Sequence, residues 1–554
     1  MSSIQILKRL YRDYTKTFLG KIFLSILFSL LVAGSTSSIA YLLDPAIEKI
    51  FIEKDKTLML FIPIAIIVAF STKGFSLYIA RSILISVGAN IRKIIQKQLF
   101  KSIVSSDLET MDKKHSGKYA THLTTDVLMI ETLVTDTVLL ITKDTLTLIG
   151  LLSVMFYQNW KLALFAMIMI PLASIFAKSL GKRMGKISTE TMETHGIVYT
   201  FFLEVFKNHK VIKIFQREDY ENKRADSHLE NFKNKTIKIA KVMIRTAPIM
   251  ECLTGFMIGG LIYFAGTLVL ENNLSINNFF SFLAAMMLAY QPVRSLATLN
   301  IGIQQGLSAA KRILPIIDSE VKDKNSGKDL KITNGSIQFK NVSFKYANKE
   351  SDILNSISLN INGGKFTALV GHSGAGKTTI MNLIPRFYEP HKGEIKIDNQ
   401  IINNYSTKSI RENISLVSQD TSLFDDTIKN NIKYSNLEAS EDDIIEASQL
   451  SYCDEFIKKM PAGYNTMIGE NGVRLSGGEK QRICIARAFF KSPEIVLADE
   501  PTGSLDEKNS EIVIRVLINA AKKDGTTLVL ATHSKNVASR MEREIVLNSC
   551  GIQE

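Results

Sequence analysis

Residues 371–380 read GHSGAGKTTI. The spacing is G-x-x-x-x-G-K-T: Gly371, Gly376, Lys377 and Thr378, with His372, Ser373, Gly374 and Ala375 between and Thr379 following. Glycines at these places let backbone N–H groups turn inward onto phosphate oxygens, and a helix starting at once adds its positive end. The residues before the loop, KFTALV, read as a strand, and TIMNLIPRFY after it has a helical pattern. That strand–loop–helix context is what gives the spacing chemical meaning. Lys377 is placed to bridge terminal phosphates, and Thr378 to hold Mg²⁺ through its hydroxyl. ATP and Mg²⁺ are the expected ligands.

From about residue 336 onward, short β-rich runs (SIQFKNVSFKY, ISLVSQ, EIVLAD, TLVLATH) alternate with helical segments. This alternation predicts a mostly parallel sheet flanked by helices, an α/β nucleotide-binding domain. EIVLADEP supplies an apolar strand ending in Asp499 and Glu500. Alone, two carboxylates after a strand read as a solvated loop. Beside a phosphate loop, Asp499 completes a Mg²⁺ site, and Glu500 faces the terminal phosphate, where it can orient or deprotonate water. Between these landmarks RLSGGEKQR (474–482) is a second glycine turn opening a helix, at Ser476, Gly477 and Gly478. One triphosphate does not need two cradles from one domain. The second is expected to serve a nucleotide held by another subunit.

The 554 residues are 46% hydrophobic yet 22% charged, with a formal net charge of +13. Such a mixture suggests an apolar portion joined to a water-soluble one. Six apolar stretches precede the α/β pattern: 22–43, 57 to about 80, about 132–157, from 162, 247–270, and about 276–295. Each approaches the roughly 20 residues that cross a bilayer. The links after the second and fourth are long and rich in Lys and Arg, which places them in the cytoplasm. That distribution accounts for the basic balance without nucleic acid. The first residues, with Ile4, Leu7, Leu10, Tyr11 and Tyr14 beside Lys8, Arg9 and Arg12, read as a basic amphipathic helix at the membrane surface rather than a cleavable leader. A transmembrane domain over 1–320, a linker over 321–335 and an ATPase domain over 336–554 are expected. Four widely spaced cysteines give no disulfide or zinc pattern, so reduced thiols are expected.

The glycine turn RLSGGE, taken with the phosphate loop and LADEP, resembles the signature loop of ATP-binding-cassette (ABC) proteins. In that family two cassettes face head to tail and sandwich two ATPs. The resemblance implies that Tyr346 stacks on adenine, Gln419 meets Mg²⁺ and water, Asp506 links the two sites, and His533 contacts the terminal phosphate. Glu479 departs from the glutamine usual at its place. Six spans before one cassette resemble a half-size ABC exporter, which acts as a dimer. GENGVRLSGG, MFYQNWKLAL, NHKVIKIF and QPVRSLATLN resemble the bacterial lipid A–core flippases, with Asn208 where many exporters have glycine. This implies a homodimer in the bacterial inner membrane, its ATPase domains cytoplasmic, flipping an amphipathic lipid. Lys73, Lys143 and Arg294 then match cations that line a vestibule for a phosphorylated headgroup. The alternative for these groups is snorkelling to the interface, or pairing of Lys143 with Asp144. Alternative functions are a multidrug or peptide exporter and an ATP-gated regulator or channel.

Overall fold

The computed structural model describes residues 2–112, 116–168, 187, 190–270, 275–319, 328–347, 351–503, 505–548 and 551–553. The chain divides into two compact units, Met1–Ser106 with Lys114–Glu320, and Asp107–Lys113 with Val321–Glu554.

The first unit is helical. Among the described residues, four helical stretches are long and apolar enough to cross a membrane: Ser3–Ile52, Leu58–Val104, Gly117–Gln158 and Glu218–Leu270. They carry the first, second, third and fifth expected spans. The fourth begins in helix Trp160–Met167, whose N-cap Asn159 accepts from the Lys161 and Leu162 amides, and then leaves the described residues. The sixth lies on helix Ile276–Ile317. Large apolar side chains such as Phe23, Leu60, Phe75, Tyr78, Phe256 and Tyr263 stand exposed along these helices. Lipid tails cover such faces, while the helical backbone satisfies its own hydrogen bonds. Helix Leu58–Val104 has 47 residues and is about 70 Å long, more than twice the roughly 30 Å hydrocarbon layer. At the turn QRED, Gln216 adopts φ 50° and separates helix His209–Ile214 from Glu218–Ile244. The other long Lys/Arg-rich link, after the second span, lies partly outside the described residues.

The amphipathic start forms helix Ser3–Leu10, opened by a reciprocal Ser2–Gln5 capping box. Its buried row is Ile6, Leu10 and Tyr14, while Ile4, Leu7 and Tyr11 stay exposed. Tyr14 donates to Gln98 at 2.7 Å, and Arg9 pairs with Asp318. One face of this helix is therefore packed on protein, not only on a membrane surface.

Two polar ties pin the spanning helices. Asp44 accepts from Gln158 Nε2 at 3.2 Å and from Asn277 Nδ2 at 2.6 Å. Gln158 also donates to Ser281, which donates to the Ala40 carbonyl. Near the other ends of two of these helices, buried Asp126 accepts two bonds from Arg312, at 3.1 and 2.6 Å, and stands 2.6 Å from His122 Nδ1.

The second unit holds the strands β1 (Ile337–Phe344), β2 (Leu354–Ile361), β3 (Phe366–Gly371), β4 (Lys392–Ile397), β5 (Gln400–Ile401), β6 (Ile414–Val417), β7 (Ile495–Asp499), β8 (Thr527–Thr532), β9 (Arg543–Asn548) and β10 (Gly551–Gln553). β2-β1-β4-β5 form an antiparallel sheet. The main sheet runs β10-β9-β3-β8-β7-β6, parallel except for β10. Strand alternation splits its apolar residues between two cores. Leu369, Ile495, Leu497, Val529 and Ala531 face the antiparallel sheet and the phosphate-loop helix. Phe366, Ala368, Val496, Ala498, Leu528 and Leu530 face helices Gly477–Phe489 and Glu507–Asp524. A third core, with Ile428, Ile444, Cys453, Ile468, Ile483 and Cys484, builds the helical lobe behind the second glycine turn. The described cysteines are free, and burial pushes the Cys453 thiol up to about 12.

Candidate functional site

The phosphate loop lies at the end of β3, the carboxylates at the end of β7, and His533 just past β8. Parallel pairing of β3 with β8 and of β8 with β7 puts all three strand ends on one edge, the usual place for ligand in an open α/β sheet. Gly376 has φ 93°, and a Cβ there would lie 2.6 Å from Leu354 Cδ2. A Cβ on Gly371 would meet the Leu547 carbonyl at 2.6 Å. These contacts explain why the loop closes only with glycine at both positions.

Lys377 begins helix Lys377–Leu383 and is 5% exposed. Its Nζ donates to the Gly371 and His372 carbonyls at 2.7 and 3.2 Å and lies 3.6 Å from Glu500 Oε1. His372, Ser373, Gly374 and Thr378 are exposed along the loop, and Ala375 is half-buried. Tyr346 reaches Thr379, with 3.4 Å between hydroxyls, and is set edge-on to Phe344 and Tyr388. The expected aromatic is thus fixed beside the start of the phosphate-loop helix.

Burial pushes the Asp499 carboxyl up from the ordinary carboxylate range, and Glu500 adds to this, while Thr378 and Lys377 favour the ionised form. Asp499 Oδ1 is buried with no hydrogen-bond partner. Such an orphan acceptor beside a threonine hydroxyl suits a small divalent cation. Among the described residues no cluster of three His, Cys, Asp or Glu could hold a metal alone. A Mg²⁺ ion here would take Thr378 and Asp499 from the protein and complete its shell with phosphate and water.

Glu500 sits at φ 45°, a left-handed conformation that only surrounding structure maintains in a non-glycine residue. Its amide donates to the Ala531 carbonyl at 2.9 Å, and its Oε2 lies 3.2 Å from His533 Nδ1. A Cβ on Gly503 would lie 3.2 Å from Gln419 Nε2 and 3.5 Å from Glu500 Oε2. Gln419, Glu500 and His533 therefore converge.

Ser476, Gly477 and Gly478 open helix Gly477–Phe489. Among the described residues no hydrogen bond or ion pair joins this turn to residues 371–378. It packs instead on its own cassette's Asp506 loop: a Cβ on Gly478 would meet Asn509 Oδ1 at 2.8 Å, and Asn509 donates to Asp506 at 2.5 Å. Asn509, which sequence reading passed over, is the link between the glycine turn and Asp506. Farther along the same helix, Gln481 donates to the Ser418 carbonyl and Arg487 to the Ser422 carbonyl. These bonds hold the segment carrying Gln419.

In the helical unit, Lys73 and Lys143 lie on helices Leu58–Val104 and Val127–Gln158, which pack against one another. Lys143 also pairs with buried Asp144 at 2.6 Å. Arg294 is exposed on helix Ile276–Ile317, which packs against the helices bearing both lysines.

Residues 22–293 match the ABC transporter transmembrane region, and residues 354–503 match the ABC transporter family model. The chain is 36% identical to the ATP-dependent lipid A-core flippase of Syntrophus aciditrophicus, over 94% of this chain and 86% of that one. It is also 36% identical to the protein of the same name from Desulfotalea psychrophila, over 100% and 96%. An uncharacterized ABC transporter ATP-binding protein of Sinorhizobium fredii is 33% identical over 94% and 89%. In fold, the chain is similar to a bacterial Atm1-family ABC exporter solved with ATP bound, with a TM-score of 0.85 at 23% identity over 97% and 95% of the two chains. With both regions matched in order and full-length relatives above 30% identity, this chain belongs to the ABC transporter family, as a membrane-spanning ATP hydrolase coupled to transport.

Proposed function

We propose that this protein is a homodimer in the bacterial inner membrane that uses Mg²⁺-ATP to flip an amphipathic, phosphorylated lipid of the lipid A type. Residues 1–320 are the membrane domain, 321–335 the linker and 336–554 the ATPase. The observation that carries the lipid reading is that Lys73 and Lys143 both lie inside apolar, membrane-length helices that pack on one another. Asp144 answers only one of the two charges. Unbalanced charge in a bilayer is costly unless it meets a counter-ion, and a phosphorylated headgroup with acyl tails supplies both partners. The relatives that bear the flippase name support the same cargo.

The dimer reading rests on the second glycine turn, which among the described residues has no bond to its own phosphate loop. Each ATP is held between Gly371–Thr378 of one subunit and Ser476–Gly478 of its partner. Tyr346 faces the base, and Lys377 exchanges its carbonyl partners for phosphate oxygens; Thr378 and Asp499 would hold Mg²⁺, with Gln419 toward it through water, and the ion would neutralise phosphate charge. Glu500 accepts a proton from water, and His533 orients the Glu500 carboxylate and the terminal phosphate. Closure favoured by ATP and reopening after hydrolysis give alternating access, driven by differential affinity for two states.

The test uses the full chain in nanodiscs. Lipid A is expected to raise ATP hydrolysis and to move between leaflets in liposomes, and both effects should fall in K73A/K143A. Stimulation by amphipathic drugs or peptides but not by lipid A would replace the lipid reading with a multidrug or peptide exporter. ATP hydrolysis without any cargo movement would favour a regulator or channel.

A further inference from the structure

Glu479 is the one departure in the glycine-turn motif, and its geometry gives it a role. Its Oε2 accepts from the Ser476 amide and from the Ser476 hydroxyl, both at 2.8 Å, while the Glu479 amide donates back to the hydroxyl at 3.4 Å. Both donors of Ser476 are thus turned onto a carboxylate. Ser476 and Gly477 are exposed and Glu479 is half-buried. Among the described residues no cation lies within ion-pair distance of Glu479.

The arginines nearest in sequence are committed elsewhere. Arg474 donates to the Met467 carbonyl and Arg482 to that of Tyr452, with its guanidinium 4.9 Å over the Phe456 ring. Arg487 donates to the Ser422 carbonyl, and Lys480, next in sequence, makes no ion pair with Glu479 among the described residues. A glutamine at 479 would close the same capping box through its amide oxygen. What glutamate adds is a negative charge at the turn that receives the partner's terminal phosphate.

We propose that Glu479 is a positioning residue that restrains ATP capture: it holds the Ser476 donors inward and repels the incoming phosphate, raising the nucleotide concentration at which the cassettes close. This rests on the head-to-tail reading above. When phosphate takes the Ser476 hydroxyl, Glu479 loses that donor and is left beside a second anion. Like charges at such short range oppose binding, and added salt screens them.

The experiment measures ATP hydrolysis against ATP concentration for the full chain in nanodiscs, at low and high salt. E479Q is expected to lower the half-saturating ATP concentration by roughly 3- to 10-fold, more than it changes turnover at saturation, as loss of one like-charge contact implies. The ratio of half-saturation between parent and E479Q should shrink as salt rises, because the ATP attractions common to both are screened alike. E479D should retain the restraint, because an aspartate closes the same kind of box at Ser440–Asp443 in this chain. Equal half-saturation and equal salt response in parent and E479Q, with S476A inactive, would overturn the restraint and leave the head-to-tail site standing. Unchanged hydrolysis in S476A would overturn both.

Discussion

His533 Nδ1 and Glu500 Oε2 stand 3.2 Å apart at the ends of two paired strands, β8 and β7. The contact orients a carboxylate that already faces Lys377. In E500Q, ATP binding should persist while turnover falls about 10²- to 10⁴-fold, the usual range for loss of a general base. Phosphate release measured alongside nucleotide binding checks this. Turnover within tenfold of the parent would remove Glu500 from the role.

Asp499 makes an opposite demand on the resting fold. Burial raises its carboxyl pKa, so the folded state prefers the proton. The stability it contributes is fully present below the unfolded carboxylate value and is lost as pH rises through the folded one. D499N should therefore melt above the parent at neutral pH without Mg²⁺-ATP, with the gap closing toward acid pH. It should also lack the stabilisation that Mg²⁺-ATP gives the parent. Thermal unfolding with and without Mg²⁺-ATP reads both effects.

Asp398 shows the reverse sign. Burial works against its ionised form, but N–H donors from Asn334, Thr333 and Ser336 hold its pKa at about 2. That stabilisation is present above the ordinary value near 3.8 and is lost as pH falls through about 2. D398A should destabilise the cassette by about 1–2 kcal/mol at neutral pH, the low part of the range for stranded donors because the group is partly solvated. Acid unfolding curves that coincide with the parent's would refute this.

Gly371 is closed to any side chain by a backbone oxygen rather than by a movable tip. G371A should weaken ATP binding by more than about tenfold through displacement of the loop amides, which a Cβ at 2.6 Å from that oxygen requires. S373A, at an exposed loop position, should bind within a few-fold of the parent. Fluorescent-nucleotide titration separates the two.

Removing Arg312 strands the buried Asp126 carboxylate between His122 and apolar helix surface. R312A should destabilise the helical unit by about 3–5 kcal/mol, and R312K should recover only part, because lysine cannot make the paired bonds. Unfolding in detergent or nanodiscs, followed by tryptophan fluorescence, gives the ranking.

How far the sequence disclosed all this depends on where each partner lies along the chain. The phosphate loop was legible because its chemistry fits in eight consecutive residues. Asp499 and Glu500 were legible because they end a β-rich run beside a phosphate loop, and parallel strands gather their ends; His533 and Gln419 entered only through the family resemblance. Asn509 was not, since its role depends on facing Gly478 across two helices. Nor was the Asp44–Gln158–Asn277 tie, whose members are more than a hundred residues apart. The pairing of Lys143 with Asp144, raised as an alternative from their adjacency, is present. It leaves Lys73 with the less compensated charge of the two lysines. The amphipathic start was legible as a helix, but its pattern could not tell protein from membrane as the covering surface.

Helix Leu58–Val104 carries its single internal proline at Pro63, close to one end. The remaining run of forty-odd residues has no further proline and stays continuously helical. A tilt of about 10° around the midpoint of a 70 Å rod moves each tip by about 6 Å in opposite senses. A small angular change at one tip is thus delivered to the other as a shift comparable to a helix radius, by stiffness alone.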